Sequence, residues 1–163
     1  MEVEVIKSKK RKRTVSARVV AKKVLEVRVP QEMKKTHIED HVRYLKRKVE
    51  KGLKKKIGDH QKYLDARGEY LNQTYFAGQL RFNIKFVSNQ NVVFGSTSPK
   101  RRVVRVSSRL MDVPEWVRDY VLIHELAHLV EPNHSDAFWE LVNQYRLSER
   151  ARGYLKAYSE NPR

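Results

Sequence analysis

The sequence predicts an α+β fold in which short strands and helices alternate around one strongly apolar helix. Three observations lead there. Residues 2–6, 14–20 and 23–29 alternate apolar and polar side chains and are rich in valine, the period-two pattern of half-buried strands. Ile38, Val42, Leu45, Val49, Leu53 and Ile57 recur at spacings of three or four, one stripe of a helix. Val117, Tyr120, Val121, Leu122, Ile123, Leu126, Ala127, Leu129 and Val130 make a third segment apolar nearly all round, the composition of a buried helix.

Taken in order, Thr14–Val20 and Lys23–Val29 read as an antiparallel hairpin that Pro30 ends. The basic run from Lys7 to Arg13 fills the connection before it and reads first as a solvated loop, second as a nucleic-acid contact. Thr36-x-x-Glu39 is a capping box that opens the striped helix. Gly58-Asp59 is expected to break it and cap a second helix over about 60–76, giving an antiparallel helical pair. Phe82–Ser88, Val92–Phe94 and Val103–Ser107 read as three more strands, with Gly95–Lys100 as a turn between the last two. The strand at 103–107 is either a sheet edge that pairs with an extended peptide or an ordinary core strand. Asp112 and Pro114 open the apolar helix, with Pro near its first position, and Pro132 stops it. Ser135 caps the next helix, which turns Phe138, Trp139, Leu141 and Val142 inward, and Arg146–Tyr158 forms a last one.

Composition narrows the class. The chain has 163 residues, long enough for one real core, with 40% hydrophobic and 33% charged residues. It contains no cysteine, which excludes disulfides and thiolate metal sites. The chain opens Met1-Glu2-Val3-Glu4-Val5-Ile6 and then a basic run with no apolar core segment after it, and no run approaches a membrane span, so no signal peptide, a cytoplasmic location and no membrane partner are expected. The net charge of +16 is uneven: residues 1–67 carry 22 Lys/Arg against 9 Asp/Glu, and residues 68–163 carry 13 against 10. The basic half leaves a nucleic acid, a nucleotide or another anion open as a partner.

Chemistry concentrates in His124-Glu125-Leu126-Ala127-His128, followed by His134. Two histidines four apart on a helix point the same way, so their imidazoles can share one metal ion. Glu125 lies one step around, placed to reach a water on that ion. His134 falls past the proline-enforced helix end, where the chain can fold back. Three protein ligands and one open position are what a catalytic zinc site needs, so His124, His128 and His134 are the expected zinc ligands and Glu125 the expected general base. A buried glutamate among buried histidines is costly without a partner, and a metal-bound water supplies one. The spacing is also that of metzincins, but Glu131 stands where that class has glycine and no methionine follows His134. Glu149 is retained as an alternative third ligand. Tyr145, Arg152 and Tyr154 are weak candidates for an oxyanion stabiliser, each more ordinarily a packing or surface residue.

Residues 91–163 resemble the YgjP-like (DUF45) metallopeptidase domain, a relative of SprT-like zincins. The likeness is carried by Val92-Val93-Phe94-Gly95-Ser96-Thr97, by Val106–Leu110 and Pro114–Val117, by Tyr120 through Leu129, and most specifically by Asn133-His134-Ser135-Asp136-Ala137-Phe138-Trp139. The hairpin and Pro30 resemble the family more loosely. The resemblance implies a zincin-like minimal metalloprotease fold: an N-terminal β-hairpin, a basic helical pair, a small mixed sheet and an active-site helix. It also implies a single domain over 1–163, with 1–76 its basic part and 77–163 its metal-binding core. His124, His128 and His134 would hold Zn2+, Glu125 would act as base, and a peptide or protein would be the substrate. Family members usually carry Trp-Gly-Ser-Cys where this chain has Phe94-Gly95-Ser96-Thr97. Two rival readings remain at this point: hydrolysis of nucleotide phosphoanhydride bonds at the same site, and a basic nucleic-acid-associated module whose metal site is structural.

Overall fold

The structure, a computed structural model, describes residues 1–20, 24–87, 90 and 93–160. Over these described residues it is α+β, with two three-stranded mixed sheets and four α-helices. The chain divides into two compact units, Met1–Lys56 and Ile57–Arg163.

In the first unit the sheet order is β1-β3-β2. Strand β3 (Val24–Pro30) is central, β2 (Ser16–Val20) pairs with it antiparallel as the expected hairpin, and β1 (Glu2–Ser8) pairs with it parallel. Leu25, Val27 and Val29 are fully buried on one face and pack with Ile38, Val42, Leu45 and Val49 of the first helix. The valine alternation and the helix stripe foretell this burial as far as Val49, whereas Leu53 and Ile57 of the same stripe stay exposed. On the other face Glu26 accepts from Arg18 Nε at 2.8 Å and from Arg28 Nε at 2.8 Å, so its carboxylate is satisfied although little of it reaches solvent.

Helix α1 runs unbroken from Lys35 to Phe76, 42 residues, or about 63 Å at 1.5 Å per residue. The expected helical pair is therefore one helix. A lone interior glycine weakens a helix by about 1 kcal/mol but does not break it, Gly58 is not in the left-handed region, and no proline lies between 35 and 76. Thr36 sits inside the first turn, two steps past where a capping box would need it. Residues 51–59 are exposed on every side of the helix. The stop comes at Ala77 (φ 52°) and Gly78 (φ 69°), where the Gly78 N–H bonds Asn72 O at 3.0 Å; the left-handed region favours glycine.

The second sheet has the order β4-β6-β5, with β4 (Asn83–Val87) parallel and β5 (Gly95–Ser98) antiparallel to β6 (Val103–Ser107). Two expectations change here. The strand expected at 92–94 lies instead at 95–98: residue 92 is outside the described residues, Val93 and Phe94 are not strand, and the Gly-Ser-Thr-Ser segment pairs with β6 because ladder bonds and burial outweigh its turn propensity. Strand 103–107 is central, with Val104 and Val106 fully buried, so the edges are β4 and β5. Gln61 of α1 covers the β4 edge. Its side-chain oxygen accepts the Phe86 N–H at 2.9 Å and its amide donates to Ile84 O at 2.8 Å.

Helix α2 (Glu115–Ala127) crosses the core with Val117, Tyr120, Val121, Leu122, Ile123, Leu126 and Ala127 buried. Pro114 is its N-cap rather than its first residue. The helix ends at His128, before Pro132, because the N–H groups of Leu129, Val130 and Glu131 turn back onto Leu126 and Ala127 carbonyls. Arg67 of α1 anchors α2 through a two-pronged pair with buried Asp119 at 2.7 and 2.6 Å. Helices α3 (Asp136–Asn143) and α4 (Ser148–Glu160) follow, and Ser135 caps α3 by accepting the Phe138 N–H at 3.3 Å. No helix among the described residues is long and apolar enough to cross a membrane.

Candidate metal centre

Helix α2 supplies His124 and, one turn later, His128. The turn after it leads back through Pro132 to His134, two residues ahead of α3. All three expected ligands come together. One nitrogen from each ring lies within 4.8 Å of the other two, and His134 Nε2 is 3.2 Å from His124 Nε2. Two nitrogens on one tetrahedral ion with bonds of 2.0–2.1 Å stand about 3.3 Å apart, so the donor set and its spacing fit a divalent metal. Glu149, the alternative ligand, instead pairs with Arg152 at 2.6 Å and is outside the cluster.

The rings are held from outside. His128 Nδ1 faces Glu131 O at 3.3 Å, which as a donor leaves Nε2 free for a metal, the usual arrangement of a ligating histidine. Phe138 stacks on His128 with centroids 4.5 Å apart, and Trp139 stacks on His134 at 5.5 Å. His124 Nδ1 is buried and has no hydrogen-bond partner among the described residues. Burial above all, then the nearby His128, His134 and Arg152, pushes the His124 ring down to about 3. His128 is lowered as well, mainly by burial. Both rings are thus neutral at physiological pH, the form that binds metal.

Glu125 occupies a slot against β5. It is 6% exposed, and Thr97 Oγ1 lies 2.7 Å from its Oε2 and 2.8 Å from its backbone oxygen. The hydroxyl has one proton, so it donates to one oxygen at a time. Across the slot is Gly95, where a Cβ would come within 2.6 Å of Glu125 Oε1; only glycine leaves room. Burial raises the carboxyl to about 7, against the lowering effect of the Thr97 bond. A cleft of about 370 Å3 opens beside it, walled by Phe94, Tyr120, Val121 and Leu155 together with His124 and Glu125.

The four residues singled out in the sequence lie together here, and their supports were not foreseen. Gly95 and Thr97 read as turn residues, and only the likeness of Phe94–Thr97 to a family block marked them. Phe138 and Trp139 were expected as core and prove to be the plates against which two imidazoles rest. Of the three weak oxyanion candidates, Tyr145 donates to Trp116 O at 3.1 Å and Tyr154 packs edge-on to Trp116, both structural roles. Arg152 lies over the Trp139 ring at 4.8 Å and reaches the centre through that ring and through its charge.

Residues 68–151 match the family model described as YgjP-like, metallopeptidase domain. In fold the chain is similar to the crystal structure of the metallopeptidase zymogen of Pyrococcus abyssi abylysin, with a TM-score of 0.52 and 22% identity over 61% of this chain and 96% of that one. No curated protein matches the chain. A metallopeptidase family implies a metal ion, and the three imidazoles are the group that could hold it. The family match covers just over half of the sequence, and with it this chain belongs to the YgjP-like metallopeptidase family.

Proposed function

We propose that the protein is a zinc-dependent metallopeptidase in which His124, His128 and His134 hold the ion and Glu125 is the general base. The observation that carries this is the convergence of three imidazoles within 4.8 Å beside a buried carboxyl. A zinc ion bound there supplies Lewis acidity toward the substrate carbonyl and lowers the pKa of its water from about 16 toward about 7.

The chain's own groups do the rest. The Glu125 carboxylate takes a proton from the attacking water and hands it to the leaving amine, and burial, which disfavours its charge, helps it accept that proton. While the carboxylate is charged, the Thr97 hydroxyl donates to it. When it is protonated, the hydroxyl can turn to the backbone oxygen and accept in exchange. Stacking by Phe138 and Trp139 and the Glu131 carbonyl keep the rings oriented.

The cleft beside Glu125 argues for a peptide over a nucleotide. Its described walls are mainly apolar and offer no lysine or arginine for a phosphate, so an aliphatic or aromatic side chain next to the scissile bond is the substrate feature it suits. Zinc-loaded protein should cleave casein or a mixed peptide library. The Glu125→Gln variant should keep its metal and lose 10²–10⁴-fold in rate, the usual worth of a general base. Full activity in that variant, or release of pyrophosphate from nucleoside triphosphates without any peptide cleavage, overturns the assignment.

A further inference from the structure

The charge of this protein follows its structural division. Residues 1–56, the first compact unit, hold 20 Lys/Arg against 7 Asp/Glu, and residues 57–163 hold 15 against 12. Of the net +16, the smaller unit thus carries +13. A basic domain of this kind is the electrostatic footprint of a polyanion site when its charges share one face.

They do share one. At 100° per residue, Arg43, Arg47, Lys48, Lys51, Lys54 and Lys55 of α1 fall within a sector of about 140°, over a length of about 18 Å. All six are exposed. The apolar stripe of the same helix lies opposite, and its Val42, Leu45 and Val49 are engaged by the β1-β3-β2 sheet. Arg43 reaches Asp40 at 3.8 Å, whereas Arg47, Lys48, Lys51, Lys54 and Lys55 have no ion pair among the described residues. Between Arg43 and Lys56 the sequence offers one acid, Glu50, outside the sector. Arg43, Arg47, Lys51 and Lys55 stand at successive i,i+4 positions, and like charges so placed weaken a helix. An uninterrupted α1 therefore holds repelling cations in line, a cost that a bound row of negative charges would remove.

We propose that this stripe binds the phosphate backbone of nucleic acid, without base selectivity. Cations repeating every 6 Å or so along a straight rod match a regularly charged polymer. A membrane surface is a poorer match. The apolar face a membrane-lying helix needs is largely spent on the sheet, and the basic sector carries one large ring, Tyr44, 62% exposed. One ring also gives little base stacking, so duplex should bind at least as well as single strand.

The test uses the full chain and a 20-base-pair fluorescein-labelled duplex of arbitrary sequence, followed by anisotropy from 50 to 300 mM NaCl. The expected result is binding whose log K falls against log salt with a slope of about −4 to −5, the value for five or so phosphate contacts. A second duplex of unrelated sequence should bind within about threefold. Reversing four charges (Arg47→Glu, Lys51→Glu, Lys54→Glu, Lys55→Glu) should weaken binding at least 30-fold and flatten the slope, while circular dichroism shows the helix content retained. The double variant Lys51→Gln, Lys55→Gln should fall between the two and serves if the fourfold variant does not fold. Undiminished binding in both variants, a flat salt response, or stronger association with 30% phosphatidylserine vesicles than with duplex overturns the proposal. None of these readouts depends on hydrolysis.

Discussion

Replacing Glu125 by glutamine should stabilise the metal-free protein while it destroys activity. The carboxyl is 6% exposed and burial raises it from 4.5 to about 7. A carboxyl whose folded value is raised contributes stability that is complete below its unfolded value near 4.5. That contribution is lost as pH climbs to 7, because the unfolded chain releases its proton first. At about 1.4 kcal/mol per tenfold change, the full loss is about 3 kcal/mol at pH 8, and less than about 1 kcal/mol of it has appeared by pH 5. An amide fills the same slot without charge and escapes the loss. His124 and His128 act with the opposite sign: their folded values are lowered, so their stability is present above 6.5 and is lost as pH falls. Both proteins share those histidines, so the difference between them isolates Glu125. The assay is urea unfolding of chelator-treated wild type and Glu125→Gln at pH 5 and pH 8. The variant should be more stable by about 2–3 kcal/mol at pH 8, with the gap nearly closed at pH 5. Equal stability at both pH values would refute the view that this carboxyl is held against its charge.

Other substitutions probe the supports. Gly95→Ala places a methyl 2.6 Å from Glu125 Oε1; overpacking of that kind costs about 1–3 kcal/mol, and thermal melting together with the rate of peptide cleavage should both fall. Thr97→Val removes the bond that lowers Glu125, so the acidic limb of the pH–rate profile should move to higher pH, and Thr97→Ser should move it back. In the cleft, Leu155→Trp should reduce kcat/KM for peptides with a large apolar residue beside the cut more than for those with alanine there, by about tenfold.

What the sequence made legible was whatever repeats or clusters locally. The valine alternation marked β2 and β3, the 124–128 spacing marked two imidazoles on one side of α2, and Ser135 marked the cap of α3, while Pro132 put the end of α2 four residues too late. What it hid depends on long-range pairing. Gly58-Asp59 looks like a break because both residues disfavour helices, yet nothing steric compels one there. Gly95–Ser98 looks like a turn because nothing local says that β6 will pair with it and that Glu125 will lie beneath. The placement of strand 103–107 in the centre follows from β4, whose other edge is sealed by an amide from α1, a contact between residues more than twenty apart.

The stretch of α1 from 51 to 59 keeps its hydrogen bonds with water on all sides. Backbone shielded by nothing but its own coil opens first when a protein breathes, and four lysines lie along it. Brief trypsin treatment should therefore nick the molecule there before it touches the apolar interior of α2. The fragment released on the C-terminal side would carry every imidazole of the cluster.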